Sequence, residues 1–170
     1  RLKTEDLARF GQLYLQKGLW NGERVLNEQW IETATTRQTA TGSNPASDWE
    51  QGYGYHFWLG RHNAYRSDGT FGQFCVVMPE QDAVLALTGG IFSYKTQDVL
   101  DLVWQHLLPA LRSDSLAADE QAHAVLSDKL SFLFLKPLRG ASYVPKAEDI
   151  SGQLFEFADN RQGVEAISFD

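Results

Sequence analysis

The sequence predicts an α+β fold in which an antiparallel sheet is packed with helices. Three observations carry this. Four short apolar segments separated by glycine or turn residues lie between Gly52 and Thr88. Helical spacing of apolar residues flanks them, at 5–17 and after Thr96. A further pair of segments, 154–157 and 164–169, alternates apolar and polar residues with period two across an Asn-containing turn. Helix, strands and helix in that order make a layered arrangement, with the later helix covering one sheet face.

Taken in order, Thr4 reads as an N-cap before Glu5 and Asp6 in an acidic first turn, and Leu7, Phe10 and Tyr14 form the apolar stripe of a helix over 5–17 that Gly18 stops. Trp20-Asn21-Gly22-Glu23 carries an Asn-Gly turn signal, and Asn27 caps a short helix through Glu28, Trp30, Ile31 and Ala34. Thr35 to Gln51, rich in Thr, Gly, Ser, Asn, Pro and Asp, reads as a long surface loop. Gly52–Gly60 is aromatic and glycine-bounded, which favours a strand, and Ala64–Asp68, Gln73–Met78 and Ala83–Thr88 follow as further strands. Pro79-Glu80-Gln81-Asp82 joins the last two as a hairpin. Gly89-Gly90 closes the sheet, and Thr96 caps a helix with Asp98 in its first turn and Val99, Leu102, Val103 and Leu107 on one face, ended or kinked by Pro109. Residues 113–128 hold four carboxylates and no Lys or Arg, the pattern of an exposed linker entering a helix. The apolar run Leu130–Leu135 follows, and Pro137, Gly140 and Pro145 then interrupt the chain before the C-terminal hairpin.

The 170 residues carry a net charge of -7, with 43% hydrophobic and 12% aromatic residues, a composition that supports a packed core and argues against disorder. The acidic balance and the lack of any Lys/Arg cluster argue against a nucleic-acid partner. The longest apolar runs are far shorter than the about 20 residues a membrane helix needs. A single cysteine, Cys75, excludes an intramolecular disulfide framework and a Cys-rich zinc site, and fits a cytoplasmic as well as an exported protein. The chain opens on Arg1, so a segment upstream of it is expected.

The most unusual segment is Tyr65-Arg66-Ser67-Asp68-Gly69-Thr70-Phe71-Gly72-Gln73-Phe74, which places two glycines and several polar groups between apolar strands. Such glycines mark either a plain Asp-Gly hairpin turn or a place where a ligand approaches the backbone closely, and the pattern alone does not choose. A Ser67–Asp68–His triad is disfavoured: there is no Gly-x-Ser-x-Gly elbow, and nothing places His56, His62, His106 or His123 beside Ser67. His56, His62 and Asp68 lack metal-ligand spacing, and the pattern calls for no metal and no cofactor. Cys75 lies inside an apolar strand, where a thiol behaves as a small hydrophobe.

Asp6-Leu7-Ala8-Arg9-Phe10-Gly11-Gln12-Leu13-Tyr14-Leu15, then Gly18 to Leu26 and Trp30-Ile31, resembles the late helical segment of the serine β-lactamase and penicillin-binding-protein-like hydrolases of class C type. Gly52–Gly60, the glycine segment and Cys75–Thr88 are similar to the three closing strands of the same family, and Val99–Leu108 to its last helix, so that residues 1–112 are covered. The resemblance implies the C-terminal part of a β-lactamase/transpeptidase-like fold and an acyl-enzyme mechanism on a small-molecule ester, amide or β-lactam-like substrate. Family members use Ser-x-x-Lys, Tyr-x-Asn, and Lys-Thr-Gly or His-x-Gly on a strand edge. The first two motifs are absent here, which implies that they belong to a missing N-terminal half. Ser67-Asp68-Gly69 stands at the third, without its cationic first residue. On that alignment the Thr70 backbone N–H is an oxyanion-hole donor, Gly69 lets the strand edge approach substrate, and Ser67, Asp68, Gly72 and Gln73 complete the substrate-binding segment. The expected organisation is a β-lactamase-like part over 1–112, a linker with a helix over 113–149 and the start of a small β-domain cut short over 150–170. The competing readings are a non-catalytic module that binds a ligand on Tyr53–Trp58, and a purely structural segment.

Overall fold

The computed structural model describes residues 2–134 and 147–169. The chain divides into two compact units, Arg1–Ala117 and Ala118–Asp170. The first is built on a four-stranded antiparallel sheet of order β3-β4-β5-β6, where β3 is Trp58–Leu59, β4 Tyr65–Gly69, β5 Gln73–Met78 and β6 Ala83–Leu87. Two helices sandwich it. Alternation along β5 sends Phe74, Val76 and Met78 to one face, where they pack on Leu100, Val103 and Trp104 of the C-terminal helical segment. Val77 faces the other way, packing with Tyr14 of α1 (Thr4–Leu15) and with Ile31 of α2 (Glu28–Ala34). Between α1 and α2 runs a two-residue hairpin, β1 (Leu19–Trp20) with β2 (Glu23–Arg24), turning through Asn21 and Gly22 in the left-handed region. The β5–β6 hairpin turns through a 3₁₀ turn at Pro79–Gln81 and a left-handed Asp82, as its Pro-led sequence predicts.

In the second unit, α4 (Glu120–Ser131) is capped by Asp119, whose side chain accepts a hydrogen bond from the Ala122 N–H, and buries no residue. A single turn, α5 (Ala147–Ile150), precedes the hairpin of β7 (Leu154–Glu156) and β8 (Ala166–Ser168), where the Phe155 and Phe169 rings meet edge to face. The expectations at Leu135, Pro137, Gly140 and Pro145 lie outside the described residues. Among the described residues, no helix is long and apolar enough to cross a membrane.

Four expectations are corrected. Lys3, not Thr4, precedes α1 as its cap residue, and the Thr4 hydroxyl bonds instead with that of Thr88 on the far side of the sheet hairpin. Lys95 likewise precedes α3 (Thr96–Leu102); Thr96 is already helical and its hydroxyl donates to the Ser93 carbonyl. Gly52–Gly60 is mostly not strand. The chain turns back on itself through a left-handed His56, Gly54 N–H bonding Phe57 O, so that Tyr53 bridges Trp58 and only Trp58–Leu59 joins the sheet. Along α3 and the π turn at Val103–Leu107 that follows it, the buried apolar side chains are Leu100, Val103 and Trp104, whereas Leu102 is exposed. These three keep the i, i+3, i+4 spacing of a regular helix, and the face they form is shifted by one residue from the one that Val99, Leu102 and Val103 suggest.

Glycine in a helix interior costs about 1 kcal/mol relative to alanine, so Gly11 needs a reason. It is the closest approach of α1 to the sheet: a Cβ there would stand 2.5 Å from Val84 Cγ1 and 2.6 Å from Cys75 Sγ. The Cys75 thiol donates to the Leu7 carbonyl at 3.2 Å, and burial pushes its pKa up to about 11, as suits a packing residue. Gly11→Ala is therefore expected to destabilise the protein by about 1–3 kcal/mol through overpacking, despite alanine's better helix propensity. Adding Val84→Ala should recover part of the loss in urea unfolding, and a neutral Gly11→Ala would contradict the packing account.

Candidate functional site

The singled-out segment lies at the open end of the sheet. β3 pairs only with Tyr65 and Arg66, so the Ser67–Gly69 edge of β4 has β5 on one side and, among the described residues, no strand on the other. Asp68 and Gly69 are the last strand residues rather than the turn, which lies two residues on at Thr70–Gly72. Phe71 (φ 68) and Gly72 (φ 82) both occupy the left-handed region, which costs a phenylalanine about 1 kcal/mol or more. Gly72 has a second reason to be glycine, because a Cβ there would lie 2.9 Å from Ile91 Cδ1. Gly69 serves space rather than conformation: its added Cβ would meet the cross-strand Gln73 Cβ at 3.0 Å.

Side-chain alternation splits the remaining candidates. Ser67, opposite Cys75, is on the α1 face, and Asp68, opposite Phe74, is on the α3 face. Gln73 does not reach toward ligand space: its Nε2 donates to Gly89 O at 2.6 Å and ties the turn to the end of β6. Among the described residues the Thr70 backbone N–H has no acceptor. Asp68, Gly69 and Thr70 line a pocket of about 350 Å³, walled by Trp49, Phe71 and Tyr94 and closed by Ser93, Thr96 and Gln97. Ser67, Gly72 and Gln73 do not line it.

Behind the pocket stands a charged network that the sequence did not announce. Asp48, in the polar run read as surface loop, is wholly buried. Its Oδ1 accepts from the Arg61 N–H, and its Oδ2 from Arg61 Nε and Nη2, Gln97 Nε2 and Trp104 Nε1, at 2.8 to 3.0 Å. Arg61 Nη2 also bonds Asp101. Gly60 makes room, since a Cβ would lie 3.2 Å from Asp48 Oδ1. Arg66, 2% exposed, donates from Nη1 to the Asp48 carbonyl and from Nε to Asp68 Oδ2, with its guanidinium 4.5 Å from the Trp49 ring centre. No local sequence signal marks this network; only the fold brings Asp48 to Arg61, Gln97 and Trp104.

The two carboxyls respond oppositely. Burial alone would raise the Asp48 pKa, but the bonds from Arg61, Gln97 and Trp104 outweigh it and hold it below the usual carboxylate value. At Asp68 burial prevails and raises the pKa, the Arg66 ion pair only limiting the rise. Among the described residues no three His, Cys, Asp or Glu side chains converge as metal ligands, and His62 rests against the Trp104 ring. A depressed carboxyl contributes stability above its unfolded pKa and loses it as pH falls through the folded value, so Asp48 stabilises the protein fully at neutral pH, and the contribution begins to fade only as pH falls past the ordinary carboxylate value of about 4. Asp48→Asn should cost about 3 kcal/mol at pH 7 in urea unfolding, the low end for a broken buried pair because Arg61 keeps Asp101, and should flatten the acid limb of the stability curve. A loss of under about 0.5 kcal/mol would contradict this role.

Residues 2–96 match the sequence family described as Beta-lactamase. A structure from Bacillus anthracis named as a 6-aminohexanoate-dimer hydrolase is similar in fold, with a TM-score of 0.50 and 23% identity over 65% of this chain. The chain spans 30% of that protein's length. No curated protein matches. The sandwiched antiparallel sheet and the family match over more than half of the residues agree: this chain belongs to the beta-lactamase family.

Proposed function

We propose that this segment supplies the strand-edge side of the active site of a serine hydrolase, one that works through an acyl-enzyme on a small-molecule ester, amide or β-lactam-like substrate. The observation that supports this most is the Thr70 N–H, unengaged beside a pocket at the unpaired end of β4. In this reading the nucleophilic serine and its Lys and Tyr partners sit on a part of the family fold that these residues do not include. When that serine attacks the carbonyl, the oxygen gains negative charge. Thr70 N–H and the serine's own N–H are fixed donors for it, stronger toward the oxyanion than toward the neutral carbonyl.

The neighbouring residues have supporting roles. Gly69 keeps the edge free of a side chain where the acyl group passes, and Ser67 stands on the α1 face at the position of the family's cationic residue. Gly72 holds the turn and Gln73 fastens it to Gly89, so both fix where the Thr70 N–H points. Asp68 presents a carboxylate to the pocket.

In the full-length protein, Thr70→Pro deletes the N–H and is expected to lower kcat by about 10²–10³ with a much smaller change in KM. Thr70→Ala keeps the N–H and should cost less than about tenfold. Equal losses in the two variants, with melting temperatures matched, would sink the donor assignment. The 170-residue chain alone should hydrolyse neither a chromogenic cephalosporin nor p-nitrophenyl esters above the buffer rate, since its sequence holds neither Ser-x-x-Lys nor Tyr-x-Asn. Turnover that vanished on substituting one of its own serines would relocate the active site.

A further inference from the structure

We infer that the pocket beside Thr70 favours substrates bearing an ammonium group and turns away carboxylates, with Asp68 as the specificity-determining residue. The inference rests on the serine-hydrolase reading above. Among the described residues that line the pocket, Asp68 contributes the only charged side chain. Its Oδ2 is held by Arg66 Nε, whereas among the described residues Oδ1 has no partner, leaving one carboxylate oxygen to accept from a ligand. What keeps Arg66 from binding an anion is burial: it is 2% exposed, its Nη1 donates to the Asp48 carbonyl, its Nη2 is buried and unpartnered among the described residues, and its guanidinium lies against the Trp49, Trp58 and Phe74 rings.

The surrounding charges point the same way. Arg61 and Arg66 face three carboxylates, Asp48, Asp68 and Asp101, so the network behind the pocket carries one net negative charge. The nearby Lys95 is exposed and paired with Asp98. The other polar lining groups do not reverse the balance. Gln97 spends its amide on Asp48 and Asp101, and the Thr96 hydroxyl donates to Ser93 O. Trp49, Phe71 and Tyr94 supply aromatic walls whose faces favour a cation and an alkyl chain; the donors left for an anion are the neutral Thr70 N–H and the Thr70, Ser93 and Tyr94 hydroxyls, with no cationic side chain among the described lining residues. An ammonium on a short chain fits a space of about 350 Å³ beside the oxyanion donor.

The test uses the full-length protein and two series of probes. In the first, p-nitrophenyl esters of equal acyl length end in a methyl, ammonium or carboxylate group. The expected result is kcat/KM at least about tenfold higher for the ammonium than for the carboxylate ester, falling to within about threefold of parity in Asp68→Asn. A carboxylate preference in the wild type, or a ratio untouched by Asp68→Asn, overturns the inference. In the second, ligand-observed NMR compares pentylammonium with pentanoate in the wild type, a comparison that needs no variant to fold. Pentylammonium binding weakened at least about tenfold by Asp68→Asn supports the inference, and pentanoate binding as tightly as pentylammonium overturns it. If no ester of any charge is hydrolysed while pentylammonium binds at Asp68, it is the serine-hydrolase reading that fails.

Discussion

The buried carboxylate of Asp48 is the joint on which the candidate site depends. Removing a carboxylate from water is costly unless its lone pairs are filled by well-placed donors, and here five hydrogen bonds from Arg61, Gln97 and Trp104 fill them. These partners come from the β3–β4 connection and from the C-terminal helical segment, so one side chain ties a long polar loop to both. The same residue's backbone carbonyl holds Arg66, and Arg66 holds Asp68 at the pocket. The position of the pocket carboxylate is thus set two links away, by a residue that touches no ligand space itself.

A buried ion pair of this sort is weak support for stability as such, because apolar residues of similar size often do as well. What the charges supply is direction. A hydrophobic substitute at Arg66 could fill the space among Trp49, Trp58 and Phe74, but nothing apolar could hold the Asp68 carboxylate with one oxygen engaged and the other free. Gly60 and Gly11 show the same economy in packing. Each is glycine where another atom must come closer than a methyl group allows, the Asp48 carboxylate in one case and the β5–β6 surface in the other.

Much of this was legible in the sequence, and what was not has physical reasons. The strands over 65–87 and their Pro-led hairpin follow from short apolar segments bounded by glycine and turn residues, and Asn27 caps α2 as its residue type suggests, accepting from the Trp30 N–H. Thr4 and Thr96 misled because a threonine hydroxyl serves a tertiary or local carbonyl partner as readily as a helix N–H. The aromatic run 52–60 has strand composition, but its rings pack on one another and on Tyr65 around a left-handed His56, a tertiary arrangement that overrides the propensity. Of the candidate site, Asp68, Gly69 and Thr70 come together at the pocket, while Ser67, Gly72 and Gln73 stand behind or beside it. Asp48 was invisible because a buried aspartate in a polar run has no local signature; its partners lie 13, 49 and 56 residues away.

Those long separations also bear on how the molecule assembles. The β4–β5–β6 hairpins close over short loops and need little chain to be ordered first. The links from Asp48 to Gln97 and Trp104 enclose 49 and 56 residues, and their closure entropy is smallest once the sheet and α3 already hold the ends near each other. The hub therefore locks late in folding and opens early in unfolding. An amide such as that of Asp48, bonded to the Gln97 side chain, would exchange with solvent sooner than those of β5, so that the pocket would dissolve while the sheet beneath it still stands.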